Sequence, residues 1–381
     1  MIRDPESFEA LLDTLRRFVR ERCVPNEARV EAEDRIPPAL EDEMRALGLF
    51  GFSIPEEYGG LGMTCEELVL AAMELSQASP AFRARVGTNT GIGAEGIVVD
   101  GTPAQRARYL PRLASGEWTG SFALTEPEAG SDATALRTTA VRDGDEWVID
   151  GAKCYITNAP IADLFTVMAR TDPSVKGAGG VTAFLVERTS AGLSTGAPYR
   201  KMGQAGSPVS EVHFNGVRVP AGNMLGQPGE GFRVAMRVLN KQRIHLAALC
   251  TGPAIRLLDE ARRHAAERRQ FGQPIGGFQL VQAMIADSAT EIFAARCMVL
   301  ETARKRDRGE DVTLEASMCK MFASEMCGRV ADRAVQILGG AGFIAGHPVE
   351  RFYRDVRLFR LYEGTTQIHQ LNIARHLARA G

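Results

Sequence analysis

The heptapeptide LYEGTTQ, residues 361 to 367, sets one carboxylate, Glu363, between an aromatic ring and a glycine, with two hydroxyls and an amide behind it. A glutamate in a loop is ordinarily a solvated surface charge. Its neighbours argue otherwise. Tyr362 supplies a packing surface, Gly364 lets a ligand come close to the backbone, and Thr365 and Thr366 are candidate N-caps for the apolar-striped segment IHQLNIARHLARA. An anionic or electron-rich ligand suits that helix N-terminus while the carboxylate faces a substrate.

Other stretches carry possible ligand chemistry, each beside a plainer reading. In FALTEPEAGSD (122–132), Thr125 and Ser131 offer hydroxyl donors around a loop shaped by Pro127 and Gly130, which suits an electron-rich ring or a phosphate; an acidic turn is the alternative. In KCYITN (153–158), Tyr155 and Thr157 are two residues apart and so share one face of a strand, as they would on any half-buried strand. In ERRQFGQPIGGFQ (267–279), Arg268 and Arg269 stand beside Gln270 and Phe271, either answering a helix dipole or gripping a pyrophosphate. QILGGAGF (336–343) follows a helical pattern with no surrounding βαβ unit, so it is not a dinucleotide fingerprint; its glycines read as a helix C-cap and tight turn. The histidines lack HxxxH or HxH spacing and the cysteines lack CxxC pairs, so no metal site is expected. GxSxG and P-loop signatures are missing, which removes serine hydrolases and NTPases.

The elements that position these residues divide the chain in three. Asp4 and Pro5 open an amphipathic helix with apolar residues from Phe8 to Val19, and similar patterns follow at 38–47, stopped by Gly48, and at 64–76, where Thr64 and Glu67 have capping-box spacing. Residues 1–118 read as a helical domain. Short β-branched and aromatic runs then appear at 146–151, 154–157, 164–170, 181–188 and 210–219, with Asn215-Gly216 as a turn pair and one sheet face packed against one wet; 119–228 is a β-domain. From 229 to 381 the long helical patterns 230–269, 277–307 and 312–338 and a short final pair imply a four-helix-bundle domain, with Pro253 kinking or splitting the first. The fold class is therefore mainly α with a middle β-domain.

Composition bounds the partners. The 381 residues suffice for several packed units, and 45 basic against 47 acidic side chains leave a net charge of -2, so neither nucleic acid nor an anionic membrane is an expected partner. Seven scattered cysteines fit reduced thiols and a cytoplasmic or matrix-like compartment; the charged, amphipathic start is unlike a signal peptide.

Taken in order, ALTEPEAGSD, KCYITN, RRQFGQPIGGFQ, QILGGAGF with PVERFYRD, LYEGTTQI, and EEYGGLG at 56–62 resemble the motifs of the acyl-CoA dehydrogenases across essentially the whole chain. The resemblance implies a helical N-terminal domain, a barrel- or sandwich-like middle β-domain and a C-terminal four-helix bundle, with non-covalent FAD. It places Phe122, Leu124, Thr125 and Ser131 at the flavin ring and the mouth of the acyl channel, and Tyr155 and Thr157 near the ring's N5. Arg268, Gln270, Phe271, Gln279, Gln336, Gly339 and Gly340 match positions that hold FAD in a neighbouring subunit, and Thr365 and Gln367 match further contacts. Shared sites imply a homo-oligomer, typically a tetramer.

By the same resemblance Glu363 is the base that takes the α-proton of an acyl-CoA, hydride leaves the β-carbon for the flavin, and an electron-transferring flavoprotein reoxidises it. Tyr362, Gly364 and Ser131 line the substrate, and Arg243 and Asn240 meet its CoA part. Some members carry the base one residue before that arginine; here the position is Gln242, which cannot abstract a proton. Two departures stand out. His369 replaces a usual glutamine, and SPAFRARVGTNTG (79–91) brings arginines where the pocket end is commonly apolar. Arg83 and Arg85 lie roughly 200° apart on a helix, so at most one faces inward; the plain reading leaves both in solvent, the sharper one has one of them read a carboxylate or other polar acyl tail. The alternatives to an acyl-CoA substrate are a carrier-protein-bound acyl or aminoacyl thioester, or a non-catalytic scaffold that keeps the fold.

Overall fold

A computed structural model describes residues 1–379. The chain begins with α1 (Pro5–Phe18), capped by Asp4, whose carboxylate accepts from the Glu6 and Ser7 N–H groups. A π-turn at Val19–Cys23 carries it directly into α2 (Val24–Glu33). Then come α3 (Pro38–Ala46), ended by Gly48 at φ 69°, and α4 (Cys65–Leu75), where Thr64 and Glu67 form a reciprocal capping box. Between them the turn at Gly59 and Gly60 folds so tightly that a Cβ on Gly60 would lie 2.0 Å from the Ile54 carbonyl oxygen. The remaining N-terminal helices are α5 (Pro80–Gly87), α6 (Glu95–Asp100) and α7 (Pro103–Ala114).

Strands follow: β1 (Gly120–Ala123), β2 (Thr139–Asp143), β3 (Glu146–Thr157), β4 (Leu164–Arg170), β5 (Val181–Glu187), β6 (Leu193–Thr195), β7 (Val209–Pro220) and β8 (Met224–Leu225). They join in one sheet ordered β6-β7-β3-β2-β4-β5-β8, with β1 parallel to β4. The expected runs 146–151 and 154–157 are a single strand, because the chain passes through Gly151 by an irregularity rather than a turn. Asn215-Gly216 likewise makes no hairpin. It is an extra residue within β7, set opposite Asp150, whose carboxylate accepts from the Gly216 N–H at 2.7 Å. One packed and one wet face describes β7, where Val212, Phe214, Val217 and Val219 are buried between more exposed neighbours. It fails for β4 and β5, which are buried on both sides: Leu164 and Met168 pack towards the N-terminal helices, Phe165 and Val167 into the opposite core.

The bundle is built from α8 (Gly231–Glu267), the hairpin β9 (Arg269–Gln270) and β10 (Gln273–Pro274), α9 (Gln279–Asp307) and α10 (Thr313–Leu338), followed by α11 (Gly340–Phe343), α12 (Pro348–Val356) and α13 (Thr366–Arg379). Pro253 interrupts nothing: α8 runs unbroken for 37 residues. Its surroundings are fully buried, so packing from α4 and α10 holds the helix across the lost hydrogen bond. No described helix is long and apolar enough to cross a membrane. This architecture is the mainly helical, three-part arrangement expected from the sequence.

Candidate active site

The three parts meet at Glu363. The turn before α13 gives this residue a left-handed backbone, φ 54°, and Gly364 follows at φ 98°; a non-glycine residue held there carries about 1 kcal/mol or more of strain. Three contacts hold the turn. Lys320, fully buried on α10, donates from Nζ to the Gly364 carbonyl oxygen at 2.5 Å. The His369 ring lies beneath Gly364, with Nε2 3.0 Å from where a Cβ would stand. Thr365 acts as N-cap, its hydroxyl accepting from the Ile368 N–H at 3.3 Å, while the Thr366 hydroxyl instead donates to Glu325 at 2.6 Å. His369 thereby acquires a physical role: burial, with Arg243 and Lys320 close by, pushes it down to about 3, so it is a neutral wedge under the turn.

Glu363 lines a cavity of about 80 Å³. Its Oε2 has no hydrogen-bond partner, and its N–H has no backbone partner among the described residues. Burial raises its pKa, with Arg83, Lys320 and Arg243 pulling the other way. The cavity walls come from α5 (Arg83, Gly87), the end of β3 (Thr157), the β6–β7 connection (Gln204), α8 (Gln242, Leu249) and Tyr362, whose ring stacks on Phe359 at 6.1 Å. Close approach of α8 explains a further glycine, since a Cβ on Gly91 would meet Gln242 Oε1 at 2.4 Å. Gln242 is a wall residue with an amide head. Gln204, at φ 56°, is pinned to α12 through Asp355, which accepts from its N–H and, by its carbonyl, from its side chain at 3.1 Å.

The plain expectation that Arg83 and Arg85 are both solvated is wrong. Arg85 is buried in an ion pair with Glu41 (3.0 and 3.2 Å) and donates to the Thr119 hydroxyl at 3.1 Å. Arg83 is 9% exposed, faces the cavity and contacts His245 Nδ1 at 2.8 Å. Its helix is held from behind by Glu27 of α2, which accepts from the Ser79 N–H at 2.9 Å and pairs with Arg351 of α12.

Thr125 is tied to β3 through its carbonyl, which accepts from the Cys154 N–H at 2.9 Å, and Ser121 donates to the Thr157 carbonyl at 2.7 Å. These bonds tie Thr125 and Thr157 to neighbouring segments; Phe122 and Leu124 are buried in the core with Leu164 and Met168, and Ser131 is exposed on the loop beyond. The simple two-residue alternation proposed for Tyr155 and Thr157 does not hold. An irregularity between Lys153 and Ile156 gives Tyr155 a φ of 58° and turns its ring outward, 5.5 Å from Tyr199, while Thr157 lines the cavity. Arg243 is buried, with Asn240 Oδ1 accepting from Nη1 at 2.7 Å. Gln367 is exposed at the start of α13. Arg268, Gln270, Phe271 and Gln279 lie at an exposed hairpin and helix start, Phe271 being 92% exposed, and Gln336, Gly339 and Gly340 are exposed at the end of α10. None of these seven lines the cavity of its own chain.

Lys320, His245 and Gln204 are site residues that the motifs did not single out. For Lys320 a signal existed: it occupies the apolar stripe of α10, three and four positions from the buried Ala316, Ser317, Ala323 and Ser324.

A helical domain, a sheet and a bundle thus close together on a buried glutamate whose Oε2 lacks a hydrogen-bond partner. Residues 5–117, 121–217 and 229–378 match the N-terminal, middle and C-terminal domains of acyl-CoA dehydrogenase respectively. An acyl-CoA dehydrogenase of Bacillus subtilis (strain 168) is 40% identical over 363 residues, 95% of this chain and 96% of that protein. The butyryl-CoA dehydrogenase of Megasphaera elsdenii superposes with a TM-score of 0.95 at 34% identity, covering 99% of this chain and 100% of that one. A glutaryl-coenzyme A dehydrogenase solved with glutaryl-CoA gives 0.93 at 37% identity, with coverage of 98% and 95%. The chain belongs to the acyl-CoA dehydrogenase family, oxidoreductases that are flavin-dependent in general.

Proposed function

We propose that this chain performs FAD-dependent α,β-dehydrogenation of an acyl-CoA to the trans-2-enoyl-CoA, with Glu363 as the base. The observation that carries this reading is the carboxylate itself, set on the cavity wall with one oxygen unpartnered and a raised pKa. A thioester α-hydrogen is too weakly acidic for an ordinary glutamate, so the carbonyl must be polarised and the base strengthened by desolvation. The Glu363 N–H, which has no backbone partner among the described residues, would donate to the thioester oxygen, and the carboxylate would take the α-proton. When bound, the flavin supplies the hydride acceptor. The flavin ring would lie against Phe122, Leu124, Thr125, Tyr155 and Thr157, with Ser131, Thr365 and Gln367, whose hydroxyl and amide side chains can donate to it. Arg243 and Asn240 meet the CoA part, and Tyr362 and Gly364 border the acyl chain.

The exposed set at the bundle end, Arg268, Gln270, Phe271, Gln279, Gln336, Gly339 and Gly340, serves the FAD of a second copy in a homotetramer, which accounts for an aromatic ring left in solvent in the single chain. An electron-transferring flavoprotein is the proposed acceptor and the cytoplasm the proposed compartment. One observation narrows the substrate: Arg83 is a buried cation facing the acyl cavity with no carboxylate in hydrogen-bond contact among the described residues. It favours an acyl group that ends in a carboxylate. Glu363→Gln tests the base. The variant should bind flavin and acyl-CoA, while anaerobic bleaching of the flavin by substrate slows at least about 100-fold; bleaching at the original rate would remove Glu363 from the role.

A further inference from the structure

The buried arginines of this chain are treated in two ways. Arg85 is neutralised by Glu41 and Arg351 by Glu27. Arg243 and Arg83 instead meet neutral acceptors, Asn240 Oδ1 at 2.7 Å for Arg243 and, for Arg83, an imidazole, His245 Nδ1, at 2.8 Å. A guanidinium can only donate, so Nδ1 must accept and the ring proton sits on Nε2. Burial, with Arg83 and Lys241 adding to it, keeps His245 well below its usual range and hence neutral. A neutral acceptor fixes the direction of the guanidinium without cancelling its charge, which a carboxylate in the same place would do.

Gly87 completes the seat. It lies one turn along α5 from Arg83, in ordinary helical geometry, and a Cβ there would stand 2.5 Å from Nη1 and 2.7 Å from Cζ. The missing side chain lets the guanidinium lie back along the helix while still facing the cavity, with Nε left without a partner. An acceptor that holds the cation, a glycine that makes room for it and a donor without a partner describe a guanidinium aimed at the cavity and able to bind an anionic group there.

We infer that His245, with Gly87, is the specificity-positioning device of this site, holding Arg83 as a cation with no carboxylate hydrogen-bonded to it, which selects acyl-CoAs ending in a carboxylate. This rests on the substrate reading given above. The test compares kcat/KM for a carboxyl-terminated acyl-CoA with that for the unsubstituted acyl-CoA of equal carbon number, in the FAD-loaded enzyme. The wild type should prefer the carboxylated substrate. His245→Leu should lower that ratio about tenfold or more, as expected for a misdirected charge-assisted hydrogen bond, chiefly through KM of the carboxylated substrate. His245→Asn, which keeps an acceptor near the Nδ1 position, should restore most of it. Gly87→Ala, whose backbone conformation is unstrained, should lower the ratio as His245→Leu does by pushing the guanidinium aside. A His245→Leu ratio equal to wild type, or a His245→Asn ratio as low as that of His245→Leu, overturns the role of His245. A wild type without preference overturns the carboxylate reading itself.

Discussion

Replacing Lys320 by methionine should damage catalysis far more than stability. The ammonium group of Lys320 is fully buried and donates at 2.5 Å to the carbonyl of Gly364, the residue after Glu363, the proposed base. Removing it leaves that carbonyl oxygen unsatisfied, at about 1–3 kcal/mol, but also removes a buried charge whose desolvation already lowers its pKa. The two terms oppose, so the change in folding stability should be small. Catalysis has no such compensation. Glu363 and Gly364 sit at φ 54° and 98°, conformations that persist only where contacts hold them. A displacement of the base by ~1 Å costs about 100-fold in rate.

The charge acts in a second way with a definite sign. Burial raises the pKa of Glu363 and Lys320 opposes that rise by favouring the carboxylate. Without Lys320 the pKa climbs further, less base is ionised at a given pH, and the acidic limb of the rate profile moves to higher pH; one unit of movement corresponds to about 1.4 kcal/mol. The assay is anaerobic rapid mixing of Lys320→Met with one acyl-CoA, following flavin bleaching from acid to neutral pH, with thermal unfolding alongside. Bleaching at the wild-type rate with an unmoved acidic limb would refute both parts of the reasoning.

Two further outcomes concern the frame around the site. Glu27→Gln keeps an acceptor for the Ser79 N–H but leaves Arg351 buried without its counter-charge, so the enzyme should lose about 3 kcal/mol of stability, read as a lower denaturation midpoint. Asp355 is pushed up to about 7 by burial, with Glu31 adding to the rise and the Gln204 N–H, Arg351 and Arg354 opposing it. An acid with a raised folded pKa contributes stability that is complete below its unfolded value, here 3.8, and is lost as pH rises through about 7. Asp355→Asn should therefore match wild type in acid and gain on it steadily up to neutral pH in denaturation midpoints; a constant difference across that range would contradict the assignment.

Periodicity and caps made the long helices legible, because Asp4, Thr64 and the turn at Gly339 act locally, within a few residues of the positions they terminate. The strand irregularities were not legible for the converse reason. Asn215-Gly216 has the chemistry of a hairpin turn, and only the position of β3, more than 60 residues earlier, makes it a bulge. Pro253 has the chemistry of a helix breaker, and only the packing of α4 and α10 around α8 overrides it. At the site, Glu363 stood out because glycine and hydroxyl residues surround it in sequence. Lys320, His245 and Gln204 converge on it from three separate elements, and nothing local marks them beyond the apolar stripe that Lys320 interrupts.

The electrostatics of Glu363 depend on that convergence. Arg83 comes from the N-terminal helices, Arg243 and Lys320 from two helices of the bundle, and the turn itself from the C-terminal end of the chain. Three cations without burial would produce a well-solvated, weakly basic carboxylate. Burial without the cations would raise the pKa of Glu363 further. The balance at Glu363, a rise set by burial and moderated by three opposing charges, needs α5 docked against α8, since docking supplies one cation and closes the cavity at the same time. The Glu27 contact that ties α2 to the start of α5 and to Arg351 of α12 therefore lies outside the cavity and yet bears on its electrostatics: it holds the helix that brings Arg83 to Glu363.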